Sequence, residues 1–377
     1  MSTYQFLKPY TLPTKGITLK NRIVIPPMTE CMAMEDGAVS RDEIAYYQQR
    51  AGGAGLFITA VANVNAVGKG FEGELSIADD KFIPGLTRLA SAMKQGGSKA
   101  VIQIFSAGRM TNSRVLRGQQ PVSVSAVAAP RPGYEVPRAL SDAEIKQTIT
   151  DFGQATRRAI MAGFDGVEIH GANTYLIQQF FSPHSNRRTD DWGGSLEKRL
   201  HFPLAVIKEV ETTVAKYANP PFIIGYRLSP EEREEPGITI SDTLKLVDAL
   251  KQTSIDYLHV SNNDVWKTSI RNPSDSAIIN QTIKQQVDGA FPVIVVGGLK
   301  TPAEVERAAE QFDLVAMGLE SIREPHWVQK VSTGDEASIR YAISPSELVD
   351  LGIQPAFLEM IKLNTGGAAG IPITTAN

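Results

Sequence analysis

Short apolar runs alternate with longer amphipathic stretches along most of the chain. Eight of these runs are rich in Val, Ile and other apolar residues and only four to seven residues long, which is typical of buried strands. The predicted strands cover residues 23–26, 55–61, 100–105, 166–170, 222–228, 257–261, 293–296 and 314–317.

The stretches between the strands have apolar residues three or four positions apart, as helices packed on a sheet do. The predicted helices cover residues 41–51, 83–94, 142–162, 196–215, 241–251, 276–286 and 302–310. Ser141 with Glu144, and Pro302 after Thr301, are signals for a helix N-terminus. Eight apolar strands that alternate with helices predict an α/β fold, a single (β/α)8 TIM barrel.

Two segments are expected to lie outside the barrel pattern. Residues 118–137 are proline-rich with alternating Val and Ser, and we expect a hairpin or a capping excursion after strand three. Residues 344–363 contain two short helical patterns beyond the last barrel unit. We therefore expect one barrel domain over residues 1–365 and a loose C-terminal tail over residues 366–377.

Composition narrows the range of partners. The chain has 377 residues, is 42% hydrophobic and has a net charge of −3, without the basic excess of a nucleic-acid surface. It contains no apolar run of membrane-spanning length and no signal-peptide pattern at its start, so we expect a cytoplasmic protein that binds neither membranes nor nucleic acid. The sequence leaves open whether it is a monomer or a homo-oligomer.

Cysteine and histidine are too scarce for a metal centre. Cys31 is the only cysteine, which excludes an internal disulfide and an iron–sulfur cluster, and five histidines are spread along the chain. We therefore expect no metal site, and any redox chemistry must use a bound organic cofactor.

Polar groups follow the fourth predicted strand. His170, Asn173 and Tyr175 offer an imidazole, an amide and a phenol, each of which can donate a hydrogen bond to one ligand atom. They lie at the carboxyl end of a strand, where α/β barrels bind their ligands. The polar loop that follows, residues 185–195, is expected to be functional or to lock a functional loop.

Other strands also place polar groups or glycines at this rim. Gln103 lies in strand three and Arg227 in strand five. The charged Arg227 is expected to point into a site, because an apolar core does not favour it. Glycines after strands seven and eight can bind phosphate through backbone N–H groups. The segment 68–73 matches GxGxxG literally, but no helix follows it, so we interpret it as a loop.

With these residues assembled, the chain resembles the Old Yellow Enzyme family of FMN-dependent ene-reductases from about residue 6 to residue 330. The resemblance rests on residues 19–29 (LKNRIVIPPMT), 102–109, 168–177 and 181–195, and on the glycine-rich ends of strands seven and eight. It is greatest for the bacterial single-domain branch described as NADH-dependent flavin oxidoreductases. The implied cofactors are non-covalent FMN, with NADH or NADPH as the reductant.

The resemblance also implies roles for individual residues. His170 and Asn173 match the pair that binds the carbonyl or nitro oxygen of the substrate, and Tyr175 matches the proton donor. Arg227 matches the cation beside the flavin N1 and C2 oxygen, and Gln103 the partner of the pyrimidine edge. The residues expected to bind FMN are Pro27, Met28, Thr29, Val61, Gln103, Arg227, Gly297, Gly298, Gly318 and Leu319.

The sequence departs from the family pattern at three places. Leu319 stands where relatives have an Arg that binds the FMN phosphate, so backbone amides, Lys300 or Arg323 must serve instead. Cys31 stands where one branch has an active-site Tyr, so it is a candidate to line the substrate pocket, with an inert small residue as the alternative. The tail has no Arg, unlike the tails that enter a neighbouring subunit's site.

The implied reaction is ping-pong reduction of the activated C=C bond of α,β-unsaturated carbonyl or nitro compounds by NAD(P)H. Three alternatives stay open at this point. One is an NADH:flavin or quinone reductase or NADH oxidase with a different acceptor. The others are a flavin-free barrel lyase with Lys300 as its Schiff-base residue, and a non-catalytic flavin-binding barrel.

Overall fold

The fold is a closed barrel of parallel strands surrounded by helices. The computed structural model describes residues 4–364, without the side chains of residues 363 and 364. The barrel strands are β1 (Ile23–Ile25), β2 (Leu56–Asn63), β3 (Lys99–Phe105), β4 (Gly166–Gly171), β5 (Ile223–Leu228), β6 (Tyr257–Val260), β7 (Val293–Val296) and β8 (Leu314–Ala316). Strand β1 pairs in parallel with both β2 and β8, which closes the ring and confirms the predicted TIM barrel.

The helices follow the predicted order. They are α1 (Arg41–Arg50), α2 (Ile83–Met93), α3 (Asp142–Met161), α4 (His201–Tyr217), α5 (Ile240–Leu250), α6 (Ile279–Val287), α7 (Pro302–Gln311) and α8 (Trp327–Thr333). Ser141 with Glu144, and Thr301 with Glu304, each form a capping box. The predicted helix over 196–215 is interrupted at Leu200, so that a short helix, Leu196–Arg199, precedes α4.

Apolar side chains fill the lower end of the barrel. A β-hairpin of Tyr10–Leu12 and Ile17–Leu19, which the strand pattern did not predict, closes this end. Leu12 and Leu19 pack there against inward-facing residues of the barrel strands, namely Val24, Leu56, Val101, Ile223, Ile294 and Leu314. The lower barrel is therefore solid core, and space for a ligand is left only at the other end.

Nearer the carboxyl ends of the strands, the next inward-facing side chains are polar. The strand register pairs Gln103 with Glu168, and one step higher it pairs His170 with Arg227 and Arg227 with His259. All five side chains are buried. Because side chains alternate between the two faces of a strand, these residues share the inner face, while neighbours such as Val167 and Ile169 pack outward.

Residues 118–137 form the capping excursion, and the hairpin alternative was wrong. Val122–Ser123 pairs with Arg138–Ala139 in parallel, so the chain between them must loop back before it pairs. The Arg188 guanidinium holds this arrangement by donating to the carbonyl oxygens of Val124 and Leu140, at 3.2 and 2.7 Å.

The C-terminal helical patterns also form as expected. A 3-10 turn covers Pro345–Glu347 and a helix covers Pro355–Asn364. The predicted loose tail, residues 366–377, lies outside the described residues. Over residues 4–364, no helix is long and apolar enough to cross a membrane, and no group of His, Cys, Asp and Glu is arranged to hold a metal ion.

Candidate active site

A cavity of about 600 Å³ opens at the carboxyl ends of the barrel strands. It brings together most of the residues proposed from the sequence. The predicted residues that line it are Pro27, Met28, Thr29, Val61, Gln103, His170, Asn173, Tyr175, Arg227 and Leu319. Gly297, Gly298, Gly318 and Cys31 are not among the described residues that form its wall.

His170 is the penultimate residue of strand β4 and is buried in the cavity floor. Burial, together with the positive charge of Arg227, holds the pKa of its imidazole well below the usual value. The ring is therefore neutral near pH 7 and carries a single N–H donor. Its Nδ1 has no hydrogen-bond partner within residues 4–364.

Asn173 is oriented so that it can donate into the cavity. Its Oδ1 accepts hydrogen bonds from the hydroxyls of Ser261 and Ser229, at 3.0 and 3.3 Å, which leaves its NH₂ group as the free end. Asn173 and Thr174 both have left-handed backbone conformations, with φ of 55° and 65°. Such strain costs on the order of 1–3 kcal/mol per residue and is most often found at functional sites.

Tyr175 stands beside His170, with ring centroids 5.1 Å apart. Its ring also meets Phe105 edge to face at 5.0 Å, so the phenol has a defined position. Burial and the nearby Glu74 carboxyl raise the pKa of the phenol. Tyr175 therefore stays protonated at neutral pH, as a proton donor must.

Gln103 and Arg227 add an amide and a charged guanidinium to the cavity wall. Gln103 Nε2 donates to the buried Glu168 at 2.6 Å, which fixes the orientation of its amide. The Arg227 guanidinium is buried, and its Nε has no hydrogen-bond partner among the residues described. A buried charged donor with an unused N–H is suited to an electronegative ligand atom.

The glycines after β7 and β8 either have a backbone conformation that favours glycine or lie close to neighbouring residues. Gly297 and Gly298 have positive φ, and a Cβ on Gly297 would lie 2.4 Å from the backbone of Asn263. Gly318 lies against Met28 and Pro26. Leu319 lines the cavity, so an apolar side chain occupies the place of the family's Arg.

Neither proposed substitute for that Arg is in the cavity wall. Arg323 is buried, lies 2.8 Å from Glu320 and donates to the Tyr341 carbonyl oxygen. Lys300 is exposed and lies outside the described cavity lining, which also removes support for it as a Schiff-base residue. Backbone amides remain as the proposed phosphate ligands.

Cys31 follows strand β1 in a left-handed conformation, with φ of 54°. Burial, with the carboxyl groups of Glu30, Glu74 and Glu43 nearby, raises the pKa of its thiol to about 12. The thiol is therefore protonated and unreactive at neutral pH. This favours the inert-residue alternative, and a role in substrate binding stays a prediction.

Several lining residues were missed from the sequence. Arg131 and Tyr134 reach the cavity from the capping excursion, and Phe71 from the GxGxxG-like loop. That loop is held by the buried Glu74, which accepts from the N–H groups of Gly70 and Phe71. The C-terminal helix also contributes three apolar side chains, namely Phe357, Met360 and Ile361.

The polar loop over residues 185–195 holds neighbouring segments in place through hydrogen bonds, and it is not part of the described cavity wall. Asn186 donates to the carbonyl oxygens of Phe180 and Trp192, at 2.7 and 2.8 Å. The Ser185 hydroxyl donates to the Gln179 carbonyl oxygen, at 2.7 Å. These contacts fix the short helix Leu176–Phe181, which begins directly after Tyr175 and so helps to position it.

The residues present fit an FMN group. The cavity is within the range of roughly 300–1,000 Å³ typical of cofactor sites. Thr29, Gln103 and Arg227 supply a hydroxyl, an amide and an unpartnered guanidinium N–H to the cavity wall. This donor set matches the oxygen and nitrogen atoms at the polar edge of an isoalloxazine ring.

Comparison with known proteins agrees with this assignment. Residues 6–337 match the family described as NADH:flavin oxidoreductase / NADH oxidase. The chain is 44% identical over 342 residues to the NADH:fumarate oxidoreductase of Klebsiella pneumoniae (strain 342), an alignment that covers 90% of this chain but 37% of that protein. The chain thus spans little more than a third of that relative's length.

For a relative of similar size and for a solved structure, the similarity covers about nine tenths of both chains. The chain is 44% identical over 341 residues to "Probable NADH-dependent flavin oxidoreductase YqiG" of Bacillus subtilis (strain 168), covering 90% of this chain and 91% of that protein. The structure of morphinone reductase matches with a TM-score of 0.77 and 28% identity, covering 92% and 93% of the two chains. The chain therefore belongs to the NADH:flavin oxidoreductase / NADH oxidase family of FMN-dependent, NAD(P)H-using enzymes, which confirms its resemblance to the Old Yellow Enzymes.

Proposed function

We propose that this chain is an ene-reductase that uses FMN and NADH or NADPH to reduce the activated C=C bond of α,β-unsaturated carbonyl or nitro compounds. The arrangement of His170, Asn173 and Tyr175 at one end of the cavity carries the proposal. It combines two neutral donors for one oxygen with a protonated phenol beside them. The chemistry that FMN supplies when bound is hydride transfer, first from the nicotinamide and then to the acceptor.

His170 and Asn173 would bind the carbonyl or nitro oxygen. A neutral imidazole and a carboxamide, both held in place by the protein, can donate to an oxygen that gains negative charge as the double bond is attacked. Asn173 is well suited to this, because Ser229 and Ser261 occupy its carbonyl oxygen and leave only its NH₂ group to face a ligand. This pair would make the β-carbon electrophilic.

Tyr175 would deliver the proton to the α-carbon. Its raised pKa keeps the proton on the phenol until a strongly basic carbon is presented. The aromatic contacts with Phe105 and Phe71 leave few positions for the ring and so orient the hydroxyl. The same cavity is lined by most of the proposed FMN residues, so reductant and acceptor would bind in turn, in a ping-pong sequence.

A second acceptor class is supported by the family description, which includes NADH oxidases. With oxygen or a quinone as acceptor, electrons leave without a proton being placed on carbon, and Tyr175 has no chemical role. The two functions therefore differ in their dependence on Tyr175. The cytoplasmic location stays a prediction.

The test is to measure the two half-reactions of a Tyr175→Phe variant separately by anaerobic rapid mixing. We expect reduction of the flavin by NADH to change less than threefold, and reoxidation by cyclohexenone to slow by about 100-fold or more. Tyr217→Phe, at an exposed position on α4, is the matched control and should affect neither step. Equal slowing of both steps in Tyr175→Phe, or unchanged reoxidation by cyclohexenone, would reject the proton-donor role. The oxidase function would be favoured if oxygen or a quinone, but not cyclohexenone, reoxidised the wild-type flavin.

A further inference from the structure

Glu168 is a fully buried carboxyl group directly beneath the cavity floor. It lies in the middle of strand β4, between the outward-facing Val167 and Ile169, so its side chain points to the barrel interior. It is not among the described residues that line the cavity, whereas its neighbours Gln103 and Arg227 are. No role for it follows from the proposed chemistry, yet a buried carboxyl group is costly unless its partners compensate.

Both oxygens of Glu168 are hydrogen-bonded. Oε1 accepts from Gln103 Nε2 at 2.6 Å, and Oε2 accepts from His259 Nδ1 at 2.9 Å. The contact with His259 spans strand β5, where the residue in register with Glu168 is Gly225. A Cβ on Gly225 would lie 2.1 Å from the Tyr257 ring, so glycine is required for this packing.

These contacts keep Glu168 ionised. Burial alone raises the pKa of a carboxyl group. The charge that His259 carries at low pH, the hydrogen bonds from His259 and Gln103 and the charge of Arg227 outweigh it, and the pKa of Glu168 is lowered. The pKa values of His170 and His259 are lowered too, chiefly by burial. Near pH 7 the floor therefore contains one positive charge, on Arg227, and one negative charge, on Glu168.

The same contacts set the orientation of the Gln103 amide. Because Nε2 faces the carboxylate, Oε1 is left without a partner among the described side chains and is available to a ligand in the cavity. A carboxylate cannot accept a hydrogen bond from Oε1, so the amide has one orientation only. A neutral Gln at position 168 would remove both the charge and this constraint.

We propose that Glu168, held by His259, is a positioning residue that orients Gln103 towards the flavin and lowers the reduction potential of the bound flavin. This inference rests on the proposed function, since it requires FMN in the cavity. Reduction adds negative charge at the isoalloxazine ring, next to Arg227. The carboxylate of Glu168 offsets part of the attraction of Arg227 and so keeps the reduced cofactor a strong hydride donor.

The test is the midpoint potential of the flavin in a Glu168→Gln variant of the FMN-loaded protein, by equilibration with a reference dye. We expect the ratio of reduced to oxidised flavin at a fixed potential to rise at least tenfold, which is about 30 mV for a two-electron couple. His259→Leu, which removes one hydrogen bond to Glu168 but keeps the carboxyl group, should shift the ratio in the same direction by less.

Glu30→Gln is the matched control, because Glu30 is equally buried and adjoins the cavity residue Thr29 but is neutral near pH 7. It should change the ratio less than twofold. If wild-type protein binds FMN and is reduced by NADH, but the Glu168→Gln ratio stays within twofold of wild type or falls, the inference is wrong while the proposed function stands. Failure of the wild-type protein to bind FMN would instead overturn the proposed function.

Discussion

Two groups of buried carboxyl groups lie next to the candidate active site and differ in charge. Glu168 lies beneath the cavity floor, whereas Glu30 lies in the loop that follows strand β1 and Glu43 lies in helix α1. All three side chains are at most 2% exposed. Burial is thus nearly the same in both places, and any difference in charge must come from the partners.

The partners of Glu168 outweigh the effect of burial and favour the charged form, whereas those of Glu30 and Glu43 do not outweigh it. Glu30 accepts one hydrogen bond from Tyr47 at 3.0 Å, and burial raises its pKa to about 8. Burial and the neighbouring Glu30 raise the pKa of Glu43 well above its usual value.

Arg50 is close to Glu30, but its guanidinium is engaged elsewhere. It donates to the carbonyl oxygens of Ser321, Ile322 and Leu351 and stacks on the Tyr46 ring, with its central carbon 3.5 Å from the ring centroid. It therefore joins α1 to the end of the barrel and does not neutralise Glu30. Of these three buried carboxyl groups, only Glu168, beneath the cavity floor, has partners that outweigh burial and hold it in the charged form.

The largest expected effect is a pH-dependent change in the free energy of unfolding when Glu30 is replaced. Since its pKa is raised from 4.5 to about 8, it favours the folded protein below pH 4.5, and this advantage is lost as the pH rises towards 8. Glu30→Gln should therefore be more stable than wild type at pH 8.5, by on the order of 4 kcal/mol, and differ by less than about 1 kcal/mol at pH 5. Urea unfolding at the two pH values measures this difference.

Glu144→Gln is the control for that experiment. Glu144 is an exposed capping-box residue whose pKa is lowered to about 2 by the Arg138 guanidinium, so its stabilising effect is constant above pH 5 and is lost only towards pH 2. Its variant should show the same deficit at pH 5 and pH 8.5. A Glu30→Gln variant with the same pH-independent behaviour would show that Glu30 is charged in the folded protein.

Arg227→Met should give Glu168 a raised pKa like that of Glu30. Without the Arg227 charge the pKa of Glu168 rises, so its carboxylate becomes a cost at high pH. We expect the flavin-free variant to lose about 3 kcal/mol of unfolding free energy at pH 8 and less at pH 5. Arg157→Met, which removes a surface partner of Asp80, should lose less than about 1 kcal/mol at either pH. An equal loss at both pH values in Arg227→Met would contradict coupling to Glu168.

The smallest expected effect concerns ligand binding at the floor. His170→Ala removes a neutral donor to a ligand oxygen, so the affinity for a phenol such as 4-hydroxybenzaldehyde should fall by about 30-fold, or about 2 kcal/mol. Spectroscopic titration of the FMN-loaded protein measures this affinity. His201→Ala, at an exposed position on α4, should leave it unchanged. Unchanged phenol affinity in His170→Ala would remove His170 from the proposed oxygen-binding pair.

The strand pattern predicted the barrel and its upper rim because both depend on local periodicity. A charged residue inside an apolar strand indicates that its side chain faces a site, and this pattern identified Arg227. The same signal is present for Glu168 in GVEIH and for His259 in YLHV, where alternation places them on the same face as His170 and Arg227. Those two residues were therefore predictable and were missed.

Other parts of the site were beyond sequence patterns. Arg131 reaches the cavity because the long excursion is tied down by distant contacts, such as Arg109 to the carbonyl oxygens of Val127 and Ala128. Phe357 reaches it because the C-terminal helix packs back over the barrel, with its ring edge-on to Tyr46 at 5.4 Å. Neither contact has a local periodic signal, since both depend on how separate segments meet in space.

The most direct test of the proposed function is the absorbance spectrum of the purified, FMN-supplemented protein, recorded anaerobically before NADH, after NADH, and after cyclohexenone. The proposal predicts flavin bands near roughly 370 and 450 nm that bleach with NADH and return when the enone is added. Two results would contradict it. One is a protein that binds no flavin. The other is flavin that NADH bleaches and oxygen or a quinone restores, but no activated alkene does.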